Sequence, residues 1–255
     1  MFIGLDLGTS GLRGLLVDSA GKPVGAADTS YDVAHPNLGW SEQNPGDWIQ
    51  ACKLVMAQLR DNHQTEFAAV QGIGISGHMH GATLLDKMGE VLRPCILWND
   101  TRSHVEAAAF DAMPMFRALT GNIVFPGFTA PKLKWVAKHE PEIFAQVAKI
   151  LLPKDYMTYW LTGAYSADMS DSAGTSWLDV GARDWSDDLL EATGLTRSQM
   201  PTLFEGSQAV GVVRGDLVTN YGLPQGVQVV AGGGDNAVAA CGVGAMSEGT
   251  GFVSL

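Results

Sequence analysis

The sequence predicts an α/β fold built on one mixed sheet, with helices on both faces of that sheet. Three observations lead to this prediction. Residues 2–33 contain three short apolar runs separated by turns, which is the pattern of an antiparallel meander. Helical and strand-like segments then alternate along the chain. Near its end, a strand-like run meets the glycines Gly232–Gly234 and continues into a helix of small residues.

The first strand and the turn after it are the most informative stretch. Apolar residues alternate at Ile3, Leu5 and Leu7, which is the period of a strand with one face toward a core. Asp6 lies near the carboxyl end of this strand, and the turn Gly8–Gly11 leads into a second apolar run. Glycines let the backbone approach a ligand closely, and the N–H groups and hydroxyls of such a turn bind phosphate oxygens. We therefore predict half of a phosphoryl-transfer site, with an ordinary hairpin carrying an exposed acid as the alternative.

Capping and periodicity predict the next elements. Asn44 followed by Pro45 is a helix start. The apolar residues of one helical face then follow at Trp48, Cys52, Val55, Met56 and Leu59. Gly72–Gly77 has the spacing G-x-G-x-x-G, but a dinucleotide fingerprint follows a strand and opens a helix, whereas these glycines lie inside a strand pattern. We interpret them as strand residues and not as part of a nicotinamide site.

Shorter elements are predicted along the rest of the chain. The predicted strands are 82–86, 95–98, 149–152, 210–213, 227–231 and 252–255. The predicted helices are 103–112, 156–161 and 237–243, with prolines punctuating a helical region over 114–146 and short helices near Leu189 and Ser198.

Two polar segments carry residue types that bind small molecules. Residues 78–80 place two histidines on one face of a predicted strand, which fits a metal or a polar ligand; we favour the ligand because no third metal-binding side chain is near. Trp98 precedes Asn99 and Asp100, so that an aromatic wall adjoins an amide and an acid, as sugar sites require. A strand end followed by a capped helix is the alternative for this second segment.

Asp235 follows the three glycines and precedes a predicted helix. A helix N-cap alone would explain an acid at this position. Alternatively, the glycines admit a ligand close to the backbone, and the carboxylate accepts a proton from a hydroxyl nucleophile while Asn236 binds a neighbouring hydroxyl.

Composition restricts the function classes. The net charge of −11, from 16 basic and 27 acidic side chains, opposes a nucleic-acid partner. No apolar run approaches the ~18 residues of a membrane span. The sequence starts without a basic leader, so we expect a cytoplasmic protein. Cys52, Cys95 and Cys241 are far apart and are expected to be reduced and buried.

Taken in order along the chain, the polar and glycine-rich segments resemble the N-terminal domain of the FGGY carbohydrate kinases. The matching segments are 4–11, 40–43, 79–81, 98–100, 153–156 and 233–236, and residues 127–139 resemble the first signature of that family. The resemblance covers essentially the whole chain. It implies a ribonuclease-H-like (actin-like ATPase) domain over residues 1–255, which would be the sugar-binding domain, and it implies that the C-terminal ATP-binding domain of the family is absent from this chain.

The resemblance also implies roles for individual residues. Asp235 matches the catalytic base, and Asp6 matches the position that holds Mg²⁺. The implied sugar-binding residues are Met79, His80, Trp98, Asn99, Asp100 and Asn236. The implied phosphate-binding residues are Gly8, Thr9, Ser10 and Gly11. His78 receives no role, because this position is often glutamine in the family.

The implied reaction is transfer of the γ-phosphoryl group of ATP, with Mg²⁺, to a ketopentose. D-xylulose is the first choice of sugar, with ribulose or glycerol as alternatives. The expected partners are therefore a sugar and ATP, with neither nucleic acid nor membrane, and a homodimer is compatible with this reading. A structural or chaperone ATPase of the actin superfamily is the alternative from another class, but it gives no reason for residues 79–80 and 98–100. We expect this chain alone to be almost inactive.

Overall fold

The structure is a computed structural model that describes residues 1–253. Its strands are β1 (Phe2–Leu7), β2 (Gly11–Val17), β3 (Pro23–Ser30), β4 (Glu42–Gln43), β5 (Gly72–Gly77), β6 (Thr83–Leu85), β7 (Cys95–Ile96), β8 (Lys149–Leu151), β9 (Ser166–Asp168), β10 (Leu178–Asp179), β11 (Asp184–Trp185), β12 (Thr202–Phe204), β13 (Ala209–Val212), β14 (Gln228–Val230) and β15 (Gly233–Gly234).

The helices account for most of the remaining regular structure. They are α1 (Pro45–Asn62), α2 (Gln64–Ala68), α3 (His104–Asp111), α4 (Pro114–Thr120), α5 (Thr129–His139), α6 (Pro141–Phe144), α7 (Pro153–Thr162), α8 (Met169–Ser172), α9 (Asp187–Thr193), α10 (Gly215–Tyr221) and α11 (Asp235–Gly242). Two 3₁₀ turns cover Ala173–Thr175 and Arg197–Gln199. Within residues 1–253, none of the helices combines the length and the hydrophobicity that crossing a membrane requires.

The largest sheet has the strand order β13-β14-β5-β1-β2-β3, and β15 also pairs with β5. Strands β1, β2 and β3 form the predicted antiparallel meander. Strand β5 runs parallel to β1, and both β14 and β15 run parallel to β5. A meander continued by parallel strands is the arrangement of a ribonuclease-H-like domain, so the predicted fold class is confirmed.

Side-chain alternation along β1 decides which face of this sheet is covered. Ile3, Leu5 and Leu7 are buried, whereas Phe2 and Asp6 on the opposite face are exposed. Helix α1 packs on β2 and β3, and α7 packs on β5, β13 and β14. Within the described residues, α1 covers one face of the meander, and the opposite face is exposed at Phe2 and Asp6.

The buried apolar side chains form two clusters. The first includes the inward residues of the large sheet and one face of α1, with Trp48 fully buried. The second lies among α3, α4, α5 and α9 and includes Trp135 and Trp177. Residues 76–81 lead from Ile75 in the first cluster to Ala82 in the second. The predicted sugar-binding pair at 79–80 therefore lies on the connection between the two clusters.

Most predicted elements are present with shifted bounds. Gly72–Gly77 is a strand, as the sequence analysis required, and not a turn that opens a helix. The strand predicted at 252–255 is not formed at Phe252 and Val253, and Ser254 and Leu255 lie outside the described residues.

Candidate active site

Strands β1, β5 and β15 end side by side at the carboxyl edge of the large sheet. Asp6 lies opposite Ser76, and Ser76 lies opposite Gly233. Asp235 follows Gly234 directly and is the first residue of α11. The two predicted carboxylates therefore lie on either side of β5 at one edge of the sheet, which is where open α/β sheets bind ligands.

The Asp235 side chain is available for chemistry. The N-cap residue of α11 is Gly234, so the alternative that Asp235 serves only as an N-cap does not hold. Its Oδ1 accepts a hydrogen bond from the Asn236 N–H at 2.7 Å. Burial and, after it, the negative charge of Asp6 raise the pKa of the Asp235 carboxyl above its ordinary value. A carboxylate with a raised pKa is a better proton acceptor.

The turn Gly8–Gly11 is tight and well anchored. A hydrogen bond of 2.9 Å joins its first N–H to its last carbonyl. The Tyr31 hydroxyl donates to the Gly8 carbonyl at 2.6 Å, and Gln43 Nε2 donates to the Thr9 carbonyl at 2.7 Å. The segment 40–43, which matched the family without an assigned role, thus supports the predicted phosphate turn.

Beside this turn lies a cavity of about 280 Å³ whose lining includes Asp6, Ser10 and Arg13. Arg13 lies directly opposite Asp6 in the register of β1 and β2, and both residues are exposed. The sequence analysis did not single out Arg13. The hairpin register alone could have found it, because a short turn places the residue opposite Asp6 on the same face of the sheet.

The donor set at Asp6 fits Mg²⁺ bound together with a phosphate group. Asp6 Oδ1 accepts a hydrogen bond from Ser76 Oγ at 2.8 Å. Mg²⁺ in phosphoryl-transfer sites is held by one or two carboxylates, by the phosphates of the substrate and by water. Among residues 1–253, no three or more His, Cys, Asp or Glu side chains gather into a metal site.

A second pocket, of about 130 Å³, opens beside Asp235. Its lining residues are Met79, His80, Trp98, Asp235 and Asn236. These are five of the seven residues that the sequence analysis assigned to the sugar or its proton. Trp98 Nε1 donates to Thr9 Oγ1 at 3.0 Å, which connects the wall of this pocket to the phosphate turn.

The backbone of His80 adopts a left-handed conformation with φ of 68°, which is uncommon outside glycine. Its carbonyl accepts hydrogen bonds from Lys132 Nζ at 2.8 Å and Thr129 Oγ1 at 3.2 Å. Its Nδ1 lies 2.9 Å from the Gly174 carbonyl. Burial, followed by the positive charge of Lys132, lowers the pKa of His80 to about 4. The imidazole is therefore neutral at pH 7, with Nδ1 donating and Nε2 left as an acceptor for a ligand hydroxyl.

Lys132 is a second residue that the sequence analysis left without a role. Its side chain is fully buried, and Nζ also donates to the Gly127 carbonyl at 2.6 Å. Burial lowers the pKa of Lys132 to about 7. This ammonium group joins the segment 79–80 to the start of α5.

Three glycines lie directly against the pocket residues. A methyl group added at Gly174 would lie 2.3 Å from Cε1 of His80, and one added at Gly234 would lie 2.9 Å from Sδ of Met79. One added at Gly127 would lie 2.3 Å from the carbonyl oxygen of Trp98. At Gly127 the neighbour is backbone, so glycine is required there, whereas a side chain at Gly174 or Gly234 would have to displace the side chain of His80 or Met79.

Comparison with protein families agrees with this geometry. Residues 1–242 match the N-terminal domain of the FGGY family of carbohydrate kinases. The chain belongs to the FGGY carbohydrate kinase family. This match confirms the resemblance that the sequence segments indicated.

Individual relatives of this FGGY chain are xylulose kinases. The chain is 50% identical to the xylulose kinase of Escherichia coli (strain K12), an alignment that covers 100% of this chain and 52% of that protein. A solved "xyloylose kinase" from Brucella ovis superimposes with a TM-score of 0.93 at 62% identity, over 94% of this chain and 50% of that one. The xylulose kinase of Rhodospirillum rubrum gives a TM-score of 0.93 at 29% identity, over 97% and 51%. The chain spans about half the length of the curated relatives it matches.

Two predicted sugar contacts of the FGGY chain are not brought into the pocket. Asp100 is 1% exposed, and its oxygens accept hydrogen bonds from the Ser41 N–H at 2.6 Å and from Arg102 Nη2 at 2.7 Å. Its carboxylate therefore ties the segment 98–102 to residue 41 and is not free for a ligand. Asn99 is exposed and, in the described part of the chain, lies outside the pocket lining.

The expectation that both histidines of segment 78–80 share one face of a strand is wrong. Strand β5 ends at Gly77, and His78 points into the core, with its ring 5.6 Å from that of Trp48. Burial lowers the pKa of His78 to about 3. His78 is a core residue of the FGGY chain, whereas His80 lines the pocket.

The stability of the FGGY chain at mildly acidic pH is expected to depend on His78. Because its folded pKa of about 3 lies below the ordinary value of 6.5, the neutral imidazole favours the folded state fully above pH 6.5. That contribution is lost as the pH falls toward 3, by about 1.4 kcal/mol per pH unit. The variant His78→Gln should therefore lose less stability than the parent between pH 7 and pH 5 in urea unfolding.

The exposed His104 provides the control for this measurement, because His104→Gln removes an imidazole from the surface. We expect His104→Gln to follow the parent at each pH. Equal pH dependence in the parent and in both variants would contradict the assignment of His78 as a neutral core residue.

Proposed function

We propose that this chain is the sugar-binding half of an ATP-dependent xylulose kinase, which phosphorylates the 5-hydroxyl of D-xylulose. One observation carries the proposal: the pocket that combines Met79, His80 and Trp98 opens beside the carboxylate of Asp235. The xylulose kinases among its relatives support this choice of sugar.

In the proposed reaction, Asp235 accepts the proton of the sugar hydroxyl as its oxygen attacks the γ-phosphoryl group. The raised pKa of this carboxyl favours proton uptake, while half-burial leaves one side open to the sugar. Phosphoryl transfer needs little covalent help from the protein, so positioning and charge stabilisation provide most of the catalysis.

The phosphates of ATP would bind at the Gly8–Gly11 turn. Its N–H groups and hydroxyls supply donors, and Arg13 supplies a positive charge at the edge of the same cavity. Asp6 would hold Mg²⁺, which offsets the negative charge that develops on the phosphoryl oxygens.

The pocket residues account for recognition of a polyhydroxylated substrate. Trp98 presents an apolar surface that is 47% exposed, suited to the carbon chain of a sugar. His80 Nε2 accepts a hydrogen bond from one hydroxyl, and the Asn236 amide can both donate and accept. The relatives are about twice as long as this chain, so we infer that a second half closes over the phosphates and excludes water.

A coupled ADP-release assay on the full gene product tests the proposal with D-xylulose, ribulose, gluconate and glycerol. We expect D-xylulose to give the highest kcat/KM. We also expect residues 1–255 alone to bind D-xylulose weakly and to turn over little. Higher kcat/KM for glycerol or gluconate would overturn the choice of sugar, and ATP hydrolysis indifferent to every sugar would favour the actin-type structural ATPase.

A further inference from the structure

A buried group of charged side chains contacts the glycines that precede Asp235. Lys154 is fully buried on α7, and its Nζ lies 2.5 Å from Asp155 Oδ1 and 2.7 Å from Asp168 Oδ1. Asp168 is 1% exposed and caps the short helix α8. A buried ion pair gains little stability after its desolvation cost, but removing one partner leaves an uncompensated buried charge.

From Asp168 a directed chain of hydrogen bonds reaches β15. Asp168 Oδ2 accepts from the Ser170 hydroxyl at 2.5 Å and from the Ser170 N–H at 2.7 Å. The Ser170 hydroxyl, having donated its proton to Asp168, accepts the Gly234 N–H at 3.3 Å. A methyl group at Gly233 would lie 3.2 Å from the same Ser170 oxygen. This series of hydrogen bonds ends at Gly234, one residue before Asp235.

Asp171 lies in the same cluster, but its role is different. Both of its oxygens are buried, and neither has a hydrogen-bond partner within residues 1–253. Burial raises the pKa of Asp171 well above its ordinary value. The acids that Lys154 contacts directly are Asp155 and Asp168, and Asp168 is the member that holds Ser170.

We propose that Ser170, oriented by Asp168 and Lys154, is a positioning residue that fixes the backbone at Gly234 and thereby aims the Asp235 carboxylate at the sugar hydroxyl. This inference rests on the proposed kinase function. Ser170 touches neither the pocket nor the reacting atoms, so it acts only through Gly234 and Asp235. A displacement of about 1 Å in a catalytic group reduces the rate by about 100-fold, which sets the scale of the expected effect.

The test compares Ser170→Ala with Ser172→Ala in the full gene product. Both serines lie on α8, but the Ser172 hydroxyl is buried without a hydrogen-bond partner within residues 1–253. We expect Ser170→Ala to lower kcat by about 10- to 100-fold while KM for D-xylulose stays within about 2-fold. We expect Ser172→Ala to leave both constants within about 2-fold of the parent.

Two further readouts separate positioning from a general loss of structure. The acidic limb of the kcat profile should shift in Ser170→Ala, because a reoriented Asp235 has a different burial and a different distance from Asp6. Ser170→Thr keeps the hydroxyl and should restore most of kcat. If Ser170→Ala does not fold, Ser170→Cys replaces it, because a thiol fills the space but is a weak hydrogen-bond partner.

Equal losses of kcat in Ser170→Ala and Ser172→Ala, or an unshifted pH profile in Ser170→Ala, would overturn the positioning role while leaving the kinase function intact. A parent protein that phosphorylates none of the sugars would instead refute the proposed function, and this inference with it.

Discussion

Replacement of Asp235 by alanine is expected to lower kcat of the full gene product by about 10²–10⁴-fold, because general-base catalysis contributes rate enhancements of that size. The affinity for D-xylulose should change much less, since Met79, His80 and Trp98 still line the pocket. Stopped-flow or coupled ADP-release assays give kcat, and calorimetric titration gives the sugar affinity. In the parent, kcat should fall as the pH drops through the raised pKa of Asp235, because only the deprotonated carboxylate accepts a proton.

Asp188→Ala provides the matched control for this variant. Asp188 is an exposed acid in the first turn of α9, just as Asp235 is an acid in the first turn of α11. Both substitutions remove a carboxylate from a helix N-terminus, and the loss of its interaction with the helix dipole costs roughly 0.3–1 kcal/mol of stability. Turnover in Asp235→Ala that matched Asp188→Ala would remove Asp235 from the mechanism.

Replacement of Gly232 by alanine is expected to destabilise the fold by about 2–5 kcal/mol. Gly232 lies between β14 and β15 with φ of 77°, a conformation that costs an alanine roughly 1–2 kcal/mol. A methyl group there would also lie 1.9 Å from the carbonyl oxygen of Ile75 in β5. The backbone of β15 would have to move away from β5, and Asp235 with it. Urea unfolding measures the loss of stability, and the kinase assay measures the displacement of Asp235.

Gly226→Ala measures the conformational cost alone, so its difference from Gly232→Ala gives the steric part of the effect. Gly226 has a similar φ of 71°, but no heavy atom lies within 4 Å of a methyl group placed on it. Its substitution should cost only about 1–2 kcal/mol and leave turnover unchanged. If both variants lost the same stability, the close approach between Gly232 and β5 would carry no energetic weight.

Local signals were enough to predict the parts of the site that depend on strand ends. The alternation of Ile3, Leu5 and Leu7 placed Asp6 near the carboxyl end of a strand, and the glycines before Asp235 placed it after another strand. Both predictions held because strand period and turn chemistry are properties of adjacent residues. That the two acids lie on either side of β5 depends on sheet topology, which adjacent residues do not encode.

The parts that the sequence did not reveal depend on contacts between distant residues. Asp100 looked like a ligand-binding acid, but Arg102 and Ser41 engage its carboxylate from within the core. In the sequence Lys132 resembles any other helical lysine, but in the structure its Nζ donates a hydrogen bond to the carbonyl oxygen of His80. The sequence around either residue does not indicate these partners, because tertiary packing and not the local hydrophobic periodicity determines them.

The glycines behind the pocket bear on how such an enzyme could acquire another substrate. Gly174 and Gly234 each lie against the side chain of one pocket residue, and Gly127 lies against the carbonyl oxygen of Trp98. A side chain added at any of these three positions would have to displace the pocket residue that it contacts, and a glycine cannot be made smaller to enlarge the cavity. Evolution or design toward a bulkier sugar must therefore replace the side chains that line the pocket, at Met79, Trp98 or Asn236.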